Sequence, residues 1–512
     1  MPSCAKIVVV TPRTLNELFE QRLGAGSAPF IVGLEGLSSF SYDEAWSLAA
    51  QVAHVLFEHG VRPGDRVAIQ VAKSSEAIVS FLACLRAGAV AVPLNPGATE
   101  SELSYLLADA EPAMVIADPD LAASKTDLPM MTLERAGGGI LFDEASRQPS
   151  SALSFVPAAT TVAAMVYTSG TTGRPKGAML SHRNLTSNAI TLASAWGFVA
   201  SDRLLHVLPI FHVHGLFVAT NCAIASGASL VLAPRFDVEV VLNALPTCTV
   251  MMGVPTFYTR LLADDRFGAS TCSNARLIIS GSAPLLASTH IEFEQRTGHV
   301  ILERYGMSET SMLTSNPLYG ERKAGTVGPP LAGVSLRIID HDSGQSVRAG
   351  EVGDIVVAGP NVLSGYWNRP ELNDTEFTAD GFFRTGDVGM FDTEGYVSIV
   401  GREKDLIISG GLNVYPKEVE SAIDALPGVA ESAVIGVPDA DFGEAVVAVI
   451  VARVGETVDV DAMRDALRMV LAAYKRPKRI YLVAALPQNS MGKVVKAELR
   501  ATYASVHPED TV

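Results

Sequence analysis

Between residues 41 and 117 the apolar pattern changes period again and again, and that alternation restricts the fold more than any other feature. Tyr42, Ala45, Trp46, Ala49, Val52, Ala53 and Leu56 recur at the three-to-four-residue spacing of one helix face. Gly60, Pro63 and Gly64 end that helix, and the apolar run 66–71 has the length of a buried strand. A helix over 76–86, a strand at 90–94, a helix over 102–109 and a strand at 113–117 continue the series. Strands separated by helices pair in parallel, and parallel sheets need cover on both faces. The expected class is therefore α/β with doubly covered sheets. With 512 residues, 48% of them hydrophobic and 18% charged, the chain has apolar material for about three structural units.

The pattern shifts after Thr326. Residues 326–400 carry short β-like runs at 334–339, 355–358 and 396–400 with many glycines between them, which predicts a smaller, more antiparallel β region. The charged Gly401-Arg-Glu-Lys-Asp405 lies between apolar runs and reads as a linker. Beyond it comes a compact α+β pattern: helix 417–425, strands 430–437 and 444–452, helix 460–472 and strand 479–483.

A net charge of −16 argues against non-specific binding to nucleic acid or anionic membranes, since their phosphates repel such a surface. Any phosphate ligand must be held by local cations and backbone N–H groups. Cys4, Cys84, Cys222, Cys248 and Cys272 show no metal-ligand or redox spacing and read as buried thiols. The stretch 216–233 is interrupted by Asn221, Ser226 and Gly227, so it reads as a core β–α unit rather than a membrane span. The apolar run at the start is too short for a signal peptide, and a cytoplasmic location is expected.

The most specific string is Tyr167-Thr-Ser-Gly-Thr-Thr-Gly-Arg-Pro-Lys-Gly177, directly after the apolar strand 162–166. Its hydroxyls and backbone N–H groups can meet phosphate oxygens, and Lys176 adds a cation. It lacks the Gly-Lys-Ser/Thr ending of a Walker A loop. Neither a dinucleotide Gly-x-Gly-x-x-Gly fingerprint nor a Gly-x-Ser-x-Gly nucleophile elbow occurs in the chain.

This string resembles the phosphate loop of the acyl-CoA synthetase family, within the adenylate-forming superfamily. Further stretches match that family in the same order over nearly the whole chain. They are Pro209-Ile-Phe-His-Val-His-Gly215, Ser280-Gly-Ser-Ala-Pro-Leu285, Tyr305-Gly-Met-Ser-Glu309, Phe383-Arg-Thr-Gly-Asp387, Gly401-Arg402 and Asn489-Ser-Met-Gly-Lys493. The resemblance implies a large N-terminal domain over 1–403 whose region 326–400 forms a distorted β-barrel. A small mobile C-terminal lid over 404–512 would turn about a hinge at Lys404. It also implies two half-reactions: a carboxylic acid and ATP give acyl-AMP, and coenzyme A then takes the acyl group.

The resemblance assigns roles residue by residue. Thr168, Ser169, Gly170, Thr171, Thr172, Gly173 and Lys176 would hold the ATP phosphates. Gly281, Ser282, Ala283, Pro284 and Tyr305 would frame the adenine, with Glu303, Arg304, Gly306, Met307 and Ser308 along the same nucleotide wall. Asp387 would accept the ribose hydroxyls, Arg402 would contact ribose or phosphate, and Glu309 would help hold Mg²⁺. Lys493 would bridge the carboxylate and the α-phosphate, with His212 as a second catalytic candidate. Gly410, Gly411 and Leu412 would move toward the thiol channel, and Lys475 and Arg476 could meet the phosphates of coenzyme A.

Arg304 and His214 depart from the family's fatty and aryl acid members, which carry small and apolar residues there. With Met307 they would border the acyl pocket. A buried arginine is costly unless an anion meets it, and a second carboxylate on the acid would do so in bidentate fashion. Alternatively Glu303 or Glu309 pairs with Arg304 and the acid is a monocarboxylate. The segments 212–217, 253–260, 302–310 and 312–316 resemble malonyl-CoA synthetases, so malonate is the expected acid and methylmalonate the second choice. A stand-alone adenylation enzyme loading a carrier protein, a luciferase-like oxygenase and a non-catalytic nucleotide-binding module are the competing readings.

Overall fold

The computed structural model describes residues 12–24, 28–121, 126–169, 174–439, 441–489 and 493–504. Two large sheets share one core. The first runs Met130–Thr132, Met114–Ala117, Arg66–Gln70, Val90–Pro93, Val162–Ser169, Pro175–Ser181, parallel except for the antiparallel hairpin at its end. The second has eight strands. Its centre is the parallel set Leu302–Met307, Leu277–Ser280, Val250–Gly253, Arg203–His206, Ser229–Leu232, Pro29–Gly33, and Ser311–Ser315 folds back antiparallel at one edge.

The helix Ser75–Ala87 is buried along its whole length, because apolar residues of both sheets pack around it. That explains its sequence: Ala77, Ile78, Val79, Phe81, Leu82, Ala83 and Leu85 cover every face rather than one stripe. The helices Tyr42–Glu58 and Glu100–Ala110 are fixed at their starts by reciprocal caps, Ser41 with Glu44 and Thr99 with Glu102. Each of the expected strands and helices between 41 and 117 is present, with ends displaced by a few residues at most.

The stretch 216–233 is core, with a helix preceding its strand. A π-helical turn, His214–Ala219, runs into the helix Thr220–Ser226 and then the strand Ser229–Leu232. Among the described residues no helix is long and apolar enough to cross a membrane. Cys84, Cys222, Cys248 and Cys272 are free and buried, as read from the sequence, whereas Cys4 lies outside the described residues.

The β-rich region is an antiparallel sheet of Ser335–Ile339, Gly353–Ala358, Phe383–Phe391 and Val397–Arg402. The C-terminal unit has its own core under a five-stranded sheet, in which Val429–Asp439 and Gly443–Ala452 form a long hairpin and Arg479–Val483 joins in parallel. Between these two sheets lies a single 3-10 turn, Glu403–Asp405. In α/β folds the usual place for a ligand is outside the carboxyl ends of the parallel strands.

Candidate active site

The strands Val162–Ser169 and Pro175–Ser181 pair in register as far as Ser169 opposite Pro175, so the phosphate-loop string forms the end of a hairpin. Gly170, Thr171, Thr172 and Gly173, and the side chain of Ser169, lie outside the described residues. The stem below them is clamped by the helix Glu100–Ala110. Tyr167 donates its hydroxyl to Asp109 at 2.8 Å, Arg369 donates to the same carboxylate at 2.8 Å, and Tyr105 donates to the carbonyl of Pro175 at 3.0 Å. Lys176 departs from expectation. Its ammonium is buried against Glu376 at 3.0 Å, above the ring of Tyr366, so its charge is matched inside the protein.

Asp387 and Arg402 are cross-strand partners in the antiparallel sheet. Arg402 Nε meets Asp387 Oδ1 at 2.9 Å and Tyr305 donates its hydroxyl to Oδ2 at 2.6 Å, which joins the two sheets at one carboxylate. Burial and the Asp387 charge hold the Tyr305 phenol far above its ordinary value, and Asp387 first of all raises Arg402. The carboxylate keeps lone pairs for two further donors. Glu309 is buried close by, accepts from Tyr366 at 3.3 Å and from the Thr168 hydroxyl, and is pushed up by burial. Among the described residues no cation pairs with it.

The opposite wall is built from three segments. The Gly281–Pro284 loop leaves the strand Leu277–Ser280 with Ser282 in the left-handed region at φ 72°, and Ser282 Oγ lies 3.2 Å from His214 Nδ1. The amide of His214 donates to His212 Nδ1 at 3.3 Å, which leaves the proton of a neutral His212 on Nε2. Burial, then the charges of Lys493 and Arg304, lower His212 to about 3. His214 is driven well below the usual histidine range by burial and by Arg304, and its Nε2 has no partner among the described residues.

Arg304 is 3% exposed, and its Nε and Nη2 have no hydrogen-bond partner among the described residues. Neither acidic neighbour supplies one. Glu303 points to the other face of the strand, where it meets His290 at 3.4 Å, and Glu309 is engaged by Tyr366. Burial lowers the guanidinium to about 10, with only Tyr258 and Cys222 opposing. Gly281 is glycine for a steric reason: a Cβ there would lie 2.4 Å from Arg304 Cζ. Met307 and Ser308 follow at the end of the same strand, half-buried, and Gly306 has no room for a Cβ against the carbonyl of Ser311.

Lys493 enters from the C-terminal unit. Its amide donates to Asn489 Oδ1 at 3.0 Å and its carbonyl accepts from the Asn489 amide at 2.9 Å, which fixes the loop stem. Burial and Arg402 lower its ammonium to about 8, while Asp387 and Glu309 oppose them. Asp387, Glu309, Arg402 and Arg304 thus all act on one lysine.

Comparison with known proteins shows the family. The AMP-binding enzyme family matches residues 18–367, and the AMP-binding enzyme C-terminal domain matches residues 418–493. The chain belongs to the AMP-binding enzyme family. It is 49% identical to ATP-bound MatB from Rhodopseudomonas palustris, with a TM-score of 0.92 over 96% of this chain and 99% of that one. A feruloyl-CoA synthase of Amycolatopsis sp. is 37% identical over 91% of this chain and 95% of its own length. The mitochondrial malonate–CoA ligase ACSF3 of Mus musculus is 34% identical over 90% of this chain and 85% of its own length.

In this AMP-binding enzyme the expected coenzyme A residues divide. Gly410 and Gly411, with φ of 60° and 79°, make the two-residue turn between Ile407–Ser409 and Leu412–Val414, a turn that needs left-handed backbone at both positions. Leu412 is exposed beside Ile408 and Phe442. Lys475 and Arg476 are both engaged within their own domain. Lys475 pairs with Glu418 at 2.6 Å, and Arg476 donates to the carbonyls of Leu471 at 2.8 Å and Arg468 at 3.1 Å. Asp109, Glu376 and Tyr366 escaped the sequence reading, since nothing in their local pattern marks residues that support a loop far away in the chain.

Proposed function

We propose that this AMP-binding enzyme is an AMP-forming acid–CoA ligase whose acid is a short dicarboxylate, malonate first. The observation that carries the reading is Arg304: a buried guanidinium with no carboxylate beside it among the described residues. Its cost is recovered only when an anion arrives. In the first half-reaction a carboxylate oxygen of malonate attacks the α-phosphorus of ATP and pyrophosphate leaves. In the second the sulfur of coenzyme A attacks the acyl carbonyl, AMP leaves, and the thiol proton passes to solvent.

Asp387 accepts the ribose hydroxyls beside Arg402, and Tyr305 lies along the adenine. Lys493 offsets charge on the α-phosphate, and neutral His212 donates from Nε2 to an oxygen of the reacting groups. The donor set around Glu309 fits a hard divalent cation: a buried carboxylate without a cationic partner, beside the Thr168 hydroxyl. Mg²⁺ held there would neutralise part of the triphosphate charge. The hinge reading is supported by two anchors. Arg402 is tied to Asp387 on one side, and Asp405 to Arg500 of the C-terminal helix at 2.6 Å on the other, which leaves Glu403 and Lys404 between them. The exposed Ile408, Leu412 and Phe442 around the Gly410–Gly411 turn give the rotated domain an apolar surface for the thiol channel. A cytoplasmic location is part of the same reading.

The test is a pyrophosphate-release assay with malonate, methylmalonate, succinate, acetate, butyrate, benzoate and ferulate, each with free coenzyme A. Malonate is expected to give the highest kcat/KM and a thioester product. A monocarboxylate that outruns it, or transfer only to an added carrier protein, sinks the reading. Gly281→Ala is expected to raise the KM for malonate by about tenfold or more, because the new methyl displaces Arg304, and a misplaced binding group costs such factors. Equal KM values for variant and parent enzyme would show that the guanidinium does not need that space.

A further inference from the structure

Behind the acid wall lies a pair, buried His206 and half-buried Lys73, that the catalytic assignment does not use. Lys73 follows the strand Arg66–Gln70 of one large sheet, and His206 ends the strand Arg203–His206 of the other. Lys73 Nζ donates to the carbonyl of His206 at 2.7 Å and lies 3.0 Å from His206 Nδ1. His206 Nε2 lies 2.9 Å from the carbonyl oxygen of Gly215. A carbonyl only accepts, so Nε2 carries the proton and Nδ1 accepts from Lys73. The chain of donors therefore has one direction: Lys73 to His206 to Gly215. Among the described residues no carboxylate pairs with Lys73, and burial holds both side chains well below their ordinary values.

The recipient of this chain is unusual. Gly215 lies in the π-helical turn His214–Ala219, and its carbonyl accepts from three donors: the Thr220 amide, the Thr220 hydroxyl at 3.1 Å and His206. In an α-helix that carbonyl would take the amide four residues on; here it takes the fifth. A π-turn is rare because its hydrogen bonding is less favourable, and it persists where surrounding groups enforce it. The extra residue in the turn sets how His214, its first residue, is turned relative to the helix Thr220–Ser226, and the His214 amide donates to His212 just before it. Gly215 has no Cβ to adjust with, since one would lie 2.1 Å from the carbonyl oxygen of Pro209.

We infer that Lys73 and His206 are positioning residues for acid recognition, holding the carbonyl of Gly215 so that the π-turn aims His214 and His212 at the acid beside Arg304. The inference deepens the dicarboxylate reading and rests on it for the identity of the acid. Without the His206 donor, the turn is free to relax to α-helical pairing, which rotates His214 relative to the helix that follows. The nucleotide carboxylates Asp387 and Glu309 stand on other elements and keep their geometry.

The experiment measures malonate-dependent ATP–pyrophosphate exchange in the full chain for the parent enzyme, His206→Phe, His206→Gln and Lys73→Met, with thermal melts alongside. A parent enzyme inactive with malonate refutes the substrate reading; the series is then run with whichever acid gives the fastest exchange. His206→Phe is expected to raise the acid KM by about 10- to 100-fold, the scale of a displaced binding group, with the ATP KM within about twofold. His206→Gln keeps a donor for Gly215 and an acceptor for Lys73, so it is expected to recover most of that loss. Lys73→Met should fall between them. An ATP KM that rises in step with the acid KM, no recovery with glutamine, or lost melting temperature with unchanged acid KM each overturns the inference and leaves the pair a structural brace.

Discussion

Lys493→Ala will lower malonate-dependent ATP–pyrophosphate exchange by about 10²–10³-fold or more, equivalent to roughly 3–4 kcal/mol in the adenylation barrier. The same variant, given purified malonyl-AMP and coenzyme A, will form thioester at a rate within about threefold of the parent, because a group acts only on the step whose transition state it touches. The lysine reaches the site from the C-terminal unit, and the Glu403–Asp405 turn is the covalent connection on which a rotation could carry it away. Collapse of both half-reactions with an unchanged melting temperature would falsify the two-orientation account. The pH profile gives a second reading. The charge-offsetting form is the ammonium, and burial together with Arg402 brings its loss down to about 8. For the free enzyme, kcat/KM for exchange should therefore fall as pH rises through about 8. Lys493→Arg, whose guanidinium stays charged in this range, should move that fall upward while lowering the maximum through altered geometry.

Much of this site is carried by segments that are contiguous in sequence, and those were legible. The Phe383–Asp387 run sets Asp387 in the strand Phe383–Phe391, so the pattern and the candidate residue arrive together. The alternation of apolar periods likewise reported the parallel sheets, because the helix Tyr42–Glu58 and the strands beside it are stabilised by the same residues that create the periodicity. What the sequence hid is pairing at a distance. The Lys176 charge goes to Glu376, two hundred positions away, and Lys475 goes to Glu418 rather than to solvent. A lysine's partner is decided by which helix packs beside it, and no local spacing encodes that. The π-turn at His214 was hidden for a related reason: its extra residue is held by His206 and Thr220 across the fold, while the apolar run 216–224 looks like any buried helix.

Arg304→Met is the experiment in which stability and function should separate. The arginine is 3% exposed with Nε and Nη2 unpartnered among the described residues, so it is a destabilising feature of the fold. A methionine of similar length removes the buried charge, and replacing such a charge with a well-packed apolar group is commonly neutral or stabilising. The melting temperature should hold or rise. Malonate recognition should move the other way. Removing one partner of a buried, hydrogen-bonded charge pair costs about 2–5 kcal/mol, roughly 30- to 5,000-fold in kcat/KM. The ATP KM should stay within about twofold, because Asp387, Arg402 and Tyr305 do not depend on this side chain. Butyrate or another monocarboxylate should lose nothing, since its apolar end no longer meets a guanidinium. Arg304→Lys should not restore malonate, because a single ammonium cannot reproduce the planar two-point grip. If instead Arg304→Met lowers the melting temperature and slows every acid alike, the arginine is part of the nucleotide wall and the second carboxylate has no assigned partner. Lys493 gives the contrast: under the proposed function, its loss should slow the activation of every acid, whereas the loss of Arg304 should change which acid is preferred.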